Sequence, residues 1–125
     1  MARSRTITMS VCKKTGDVFD AILNCPPKMM PDATQNSDDS WSFSTPRGNA
    51  NLKFMQNKTL GILDHSYKDD EASWEVPMRV VSNGDESEVI ITITKPDVLT
   101  DEQFDERMKE MDIMFKNLKE IIEKN

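Results

Sequence analysis

The sequence predicts an α+β fold in which a curved antiparallel sheet wraps a long C-terminal helix. Residues 40–94 alternate apolar and polar positions between regularly spaced polar turns, and residues 101–124 carry one apolar stripe at helical spacing. Residues 3–23 add one strand and one short helix ahead of them.

In residues 3–12, Ile7, Met9 and Val11 fall on one side and Thr6, Thr8 and Ser10 on the other, the period of a strand. Thr15 is placed to cap a short helix whose Val18, Phe19, Ile22 and Leu23 share a face. Pro26-Pro27 ends it, because proline donates no hydrogen bond and disfavours helix at the residue before it. Residues 28–39 are rich in Met, Pro, Asp and Asn, and read as a loop with room for one helical turn.

Hairpins follow from Ser40. Thr45-Pro46-Arg47-Gly48 suits a turn with proline at its second position, and Asn83-Gly84 tolerates the positive φ of a tight hairpin. Centring each hairpin on its turn sets Phe43 opposite Ala50 and Trp41 opposite Leu52. It then sets Leu52 opposite Leu63, Ala50 opposite His65, His65 opposite Trp74, Leu63 opposite Val76, Met78 opposite Val89 and Val76 opposite Ile91. Every hairpin puts its apolar residues on one face: Trp41, Phe43, Ala50, Leu52, Phe54, Leu63, His65, Tyr67, Trp74, Val76, Met78, Val80, Val89, Ile91 and Ile93. The other face is mainly polar, from Ser40, Ser42 and Ser44 to Thr92 and Thr94, with Ile62, Val81 and Ile90 as exceptions. This register opposes Asp64 to Glu75, a like-charge pair that a bulge near Gly61 would relieve.

The last element opens with a capping box, Thr100 with Gln103, and a hydrophobic staple, Leu99 with Phe104. Phe104, Met108, Met111, Phe115, Leu118 and Ile122 then draw one stripe along a helix from Asp101 to about Lys124, roughly 36 Å long. Acidic residues at its start and lysines near its end suit the helix dipole.

A chain of 125 residues is expected to form one domain, residues 1–125, burying about two thirds of its unfolded surface. Its net charge of −6 opposes binding to nucleic acid or an anionic membrane. The apolar runs are far shorter than the ~20 residues a membrane helix needs, and the N-terminus shows no signal-peptide core, so a cytoplasmic location is expected. Cys12 and Cys25 then read as reduced thiols, and Asn57-Lys58-Thr59 as an ordinary turn.

The sequence has no Gly-rich phosphate loop, Cys-x-x-Cys, His-Glu-x-x-His or Gly-x-Ser-x-Gly, and one histidine cannot build a His-rich metal site. No cofactor or metal is expected, and Asp69-Asp70-Glu71 reads as a solvated hairpin tip. His65 is the residue to single out, an imidazole on the apolar face that would be a satisfied core group, a ligand-orienting group or a proton carrier. Its neighbour Asp64 points to the opposite face of a regular strand. The expected ligand-binding set is Trp41, Phe43, Phe54, His65, Tyr67, Trp74, Met78, Met108, Met111 and Phe115, aromatics and adaptable methionines where sheet and helix meet.

The order strand, helix, irregular segment, antiparallel meander and long C-terminal helix resembles the helix-grip fold of the START/Bet v 1-like (SRPBCC) superfamily. Asp17-Val18-Phe19-Asp20-Ala21-Ile22 is similar to that family's first helix. Trp41–Gly48, Leu60–His65 and Val76–Val81 resemble a small bacterial and archaeal, polyketide cyclase/dehydrase-like subgroup. The likeness covers nearly the whole chain and its motifs are structural. It implies intracellular binding of a small apolar molecule, lipid- or polyketide-like, in a cavity between sheet and helix. A cyclase- or dehydratase-like enzyme with His65 as proton carrier is the alternative it implies, and a chaperone-interaction module a further one. The segment before the meander is short, and Thr15-Gly16 stands where the family often has proline. A small cavity unsuited to bulky sterols is therefore expected, with a homodimer left open.

Overall fold

The computed structural model describes residues 3–124. The reading of the N-terminus and the one-domain boundaries also touch Met1, Ala2 and Asn125, which lie outside the described residues.

Strand β1 (Ser4–Val11) leads through α1 (Thr15–Leu23) and a single helical turn, α2 (Pro26–Met29), to the short β2 (Thr34–Gln35). Strands β3 (Ser40–Thr45), β4 (Gly48–Asn57), β5 (Ile62–Lys68), β6 (Ser73–Val76), β7 (Met78–Asn83) and β8 (Glu86–Thr94) follow, and α3 (Asp101–Lys124) closes the chain. Among the described residues the eight strands form one sheet in the order β1-β8-β7-β5-β4-β3-β2, with β6 paired to β5 beside that path. Every pairing is antiparallel.

The expected helix boundaries hold for α3, and so does its capping box: the Thr100 N–H donates to Gln103 Oε1 at 2.8 Å and the Gln103 N–H to Thr100 Oγ1 at 3.1 Å. Leu99 and Phe104, the staple, are both buried. At α1 the expectation fails by one residue. Lys14 is the cap, without a side-chain bond, and Thr15 already lies inside the helix. Pro26 both ends α1 and starts α2, where its missing N–H costs nothing because the first helical N–H groups have no partner in any case. Strand β2 went unforeseen, since two residues are too few to show a period.

The Thr45–Gly48 hairpin has the expected register, with Phe43 on Ala50 and Trp41 on Leu52. The other three are shifted. Leu52 faces Tyr67 and Phe54 faces His65, because the β4–β5 turn spends residues 58–61 between Asn57 and Ile62. His65 faces Val76 and Tyr67 faces Trp74 across the acidic turn. Met78 faces Ile91 and Val80 faces Val89, because the last hairpin closes around Gly84-Asp85. Each shift is an even number of residues, so the period of two keeps every side chain on its expected face while moving it along the sheet. Asp64 thereby escapes Glu75: it faces Met55, Glu75 faces Ser66, and no bulge is required.

Gly61 makes the longer turn possible. It sits at φ +67, its N–H donates to Lys58 O at 3.2 Å, and an added Cβ would come 2.3 Å from the Val80 carbonyl oxygen. Backbone cannot swing aside as a side chain can. Gly61→Ala is expected to lower stability by more than the roughly 1–2 kcal/mol of the left-handed conformation alone, read as a fall in the urea midpoint at unchanged slope.

The inward face is buried as expected along β7 and β8, with Met78, Val80, Val89, Ile91 and Ile93 in one cluster with Val18, Phe19 and Ile22 of α1 and the α3 stripe. On the outer face Ser40 is buried, contrary to expectation. Asn36 reaches it from beyond β2 at 3.0 Å, and Asp38 accepts its hydroxyl at 2.6 Å.

Candidate ligand-binding site

Helix α3 packs on β1 and α1, and ion pairs tie its flanks to β1 on one side and to the β3–β4 and β5–β6 turns on the other. On the β1 side Arg3 binds Asp105 at 2.9 Å and Arg5 binds Asp112 at 2.6 Å. On the other side Arg107 binds Asp69 at 2.7 Å and Glu71 at 2.9 Å, and Arg47 meets both oxygens of Glu110 at 2.7 Å. The β1 pairs are exposed and contribute little. The Arg107–Asp69 pair is sealed, with side chains 10% and 1% exposed.

That sealed pair overturns the reading of the acidic turn. Asp70 is exposed, but Asp69 points inward, where Oδ1 accepts the Glu71 and Ala72 N–H groups at 2.9 and 3.0 Å and Oδ2 accepts the Tyr67 hydroxyl at 3.1 Å. Burial alone would raise the Asp69 pKa, but the Ala72 and Glu71 N–H groups and Arg107 outweigh it and hold the carboxyl below the usual range. The same carboxylate, after burial, pushes the Tyr67 phenol up to about 12.

The expected ligand-binding residues divide into two groups. Trp74, Met78, Met108 and Phe115 are buried in the packed core, and Phe43, also buried, lies outside that cluster and lines a surface hollow with Ala50. Trp41, Phe54, His65 and Tyr67 are half-buried and, with Leu52, share the inward face of β3, β4 and β5, while Met111 is half-buried on α3. Trp74 is not opposite His65, because the register shift sets it opposite Tyr67. It lies instead under the start of α3, stacked on Phe104 at 6.2 Å with the Arg107 guanidinium 5.2 Å above its ring.

His65 stands edge-on to Phe54, ring centres 5.4 Å apart, with Nδ1 3.0 Å from Leu63 O. Burial pulls its pKa below the ordinary histidine value, against the opposing pull of the Leu63 carbonyl, Asp64 and Glu75. Asp64 points the other way as expected, its Oδ1 accepting the Met78 N–H at 3.0 Å and binding Arg79. Pro77 beside it has no N–H to give.

Two hollows open elsewhere on the surface. One of about 480 Å³ lies among Asp32, Ser42, Ser44, Asn49 and Asn51, and one of about 410 Å³ among Trp74, Pro77, Thr94, Lys95 and Pro96. Neither is lined by His65 or by any residue of α3. Among the described residues no cluster of three or more His, Cys, Asp or Glu side chains is placed to hold a metal, and no helix is long and apolar enough to cross a membrane.

No protein-family profile and no curated protein sequence matches the chain. Solved structures do. The structure of Ara h 8.0201 superposes with a TM-score of 0.73 at 11% identity, covering 100% of both chains. A START superfamily protein from Mycobacterium smegmatis superposes with a TM-score of 0.70 at 10% identity, covering 97% of each. This chain has the helix-grip fold. Norcoclaurine synthase from Thalictrum flavum, solved with dopamine and hydroxybenzaldehyde, shares the helix-grip architecture with a TM-score of 0.69 at 10% identity, over 98% of this chain and 87% of that one. The helix-grip fold expected from the order of the elements is thus the fold the chain has.

Proposed function

We propose that the protein binds a small, largely apolar molecule on the half-covered surface of β3, β4 and β5, with His65 fixing its polar part. One observation carries this reading. A single apolar face is sealed along β7 and β8 but left half-open at Trp41, Leu52, Phe54, His65 and Tyr67, and the α3 stripe keeps one methionine, Met111, half-buried. Half-covered apolar surface that carries one polar group is the composition of a ligand site, and methionine is the adaptable residue to cover it. Each 100 Å² it covers contributes about 2.5 kcal/mol. The helix-grip neighbour solved with two small aromatic molecules supports the reading by analogy of fold alone. Native mass spectrometry of the purified protein tests it. A bound small molecule that is lost in Phe54→Asp supports the site, whereas bare protein that also takes up no naphthalene-sized aromatic sinks it.

A cyclase- or dehydratase-like reaction is the second reading, favoured by the unengaged ring nitrogen of His65. It requires His65→Ala to abolish turnover while leaving binding nearly intact.

A further inference from the structure

We propose that this site selects a neutral ligand bearing a hydrogen-bond donor, an alcohol or phenol, and that the Nε2 lone pair of His65 is what recognises it. The inference rests on the ligand-binding reading above and narrows it.

The Leu63 carbonyl can only accept, so the His65 Nδ1 at 3.0 Å from it must carry the ring proton. In the neutral ring that leaves Nε2 an acceptor. No described residue donates to Nε2, and the atom is not sealed, since the buried side-chain polar atom left without a partner is Trp74 Nε1. Burial also favours the neutral ring.

The groups that would otherwise read a carboxylate or a carbonyl are committed elsewhere. The Arg47 guanidinium is taken by both oxygens of Glu110, Arg107 is shared by Asp69 and Glu71, and the Tyr67 hydroxyl donates to Asp69. An anionic head would find these cations already neutralised. An acceptor-only ligand would cover Nε2 and leave its lone pair unpaired, and an unsatisfied buried acceptor is the costly outcome.

The test compares 2-naphthol, 2-methoxynaphthalene and 2-naphthoate by calorimetry at pH 7.5, with the wild-type chain and His65→Leu. The expected result is that the naphthol binds about tenfold more tightly than its methyl ether, with the naphthoate weakest, and that His65→Leu erases the naphthol–ether difference. Equal affinities for naphthol and ether, or preference for the naphthoate, overturn the inference but leave the binding site standing. No binding by any of the three overturns both. A second measurement needs no variant. The chain has one histidine, so its long-range ¹H–¹⁵N spectrum is unambiguous, and a neutral ring with the proton on Nε2 would refute the assignment.

Discussion

Asp69→Ala is expected to cost about 3–5 kcal/mol of folding stability, among the largest effects of any single substitution in this chain. The mutation does more than remove a contact. It leaves the Arg107 guanidinium, only 10% exposed, beside an empty space, while the Glu71 and Ala72 N–H groups and the Tyr67 hydroxyl lose their common acceptor. A guanidinium left in a sealed site with only the partly exposed Glu71 carboxylate, 2.9 Å away, is what makes breaking the pair expensive. Removing both charges, in Asp69→Ala with Arg107→Met, is expected to recover part of the loss, because Met can still cover the Trp74 ring. The pair also sets a pH dependence. The folded Asp69 carboxyl titrates below its ordinary value of 3.8, so its contribution is fully present above that value and is lost as pH falls through the lower folded pKa. Urea midpoints between pH 7 and pH 3 should fall steeply at the acid end in the wild type and less in Asp69→Ala. A parallel fall in both would show that other carboxylates dominate.

Phe104→Ala is expected to cost a similar amount, about 3–5 kcal/mol, by a different mechanism. The ring is 2% exposed, stacks on Trp74 at 6.2 Å, has Arg3 over its face at 5.3 Å and is one half of the staple that starts α3. Truncation opens a cavity and loosens the helix start in one step. Because Trp74 touches both Phe104 and Arg107, combining Phe104→Ala with Asp69→Ala should be non-additive, the double mutant losing less than the sum. Strict additivity in chemical denaturation would contradict a shared packing unit.

The sequence made the sheet faces and the α3 boundaries legible, because burial in a sheet has a period of two and in a helix of 3.6. An even shift in register is invisible to that signal, so three hairpins could slide by two or four residues without any side chain changing face. This is why Trp74 was expected beside His65 and lies instead beside Tyr67. Arg107 was missed for a related reason. It falls three residues after Phe104 and four before Met111, on the flank of the stripe, where a charged side chain ordinarily reads as solvent-facing. Asp69 was read with its acidic neighbours as a solvated tip. The weak signal available was Tyr67 two residues before it, an aromatic on the inward face whose hydroxyl required a buried partner. His65 was placed on the correct face, but its bond to Leu63 O depends on a side-chain rotamer that no pattern encodes.

The central claim, a ligand bound between α3 and the β3–β5 surface, is tested most directly by the methionine methyl spectrum. The chain has nine methionines, which serve as internal reporters: Met111 is half-buried on the α3 stripe proposed to cover the site, whereas Met55 is half-exposed on the opposite face of the sheet. Titration with 2-naphthol into protein labelled at its methionine methyls should shift Met111 strongly while Met55 stays in place. Shifts confined to Met55, or a spectrum unchanged at saturating ligand, would contradict the account.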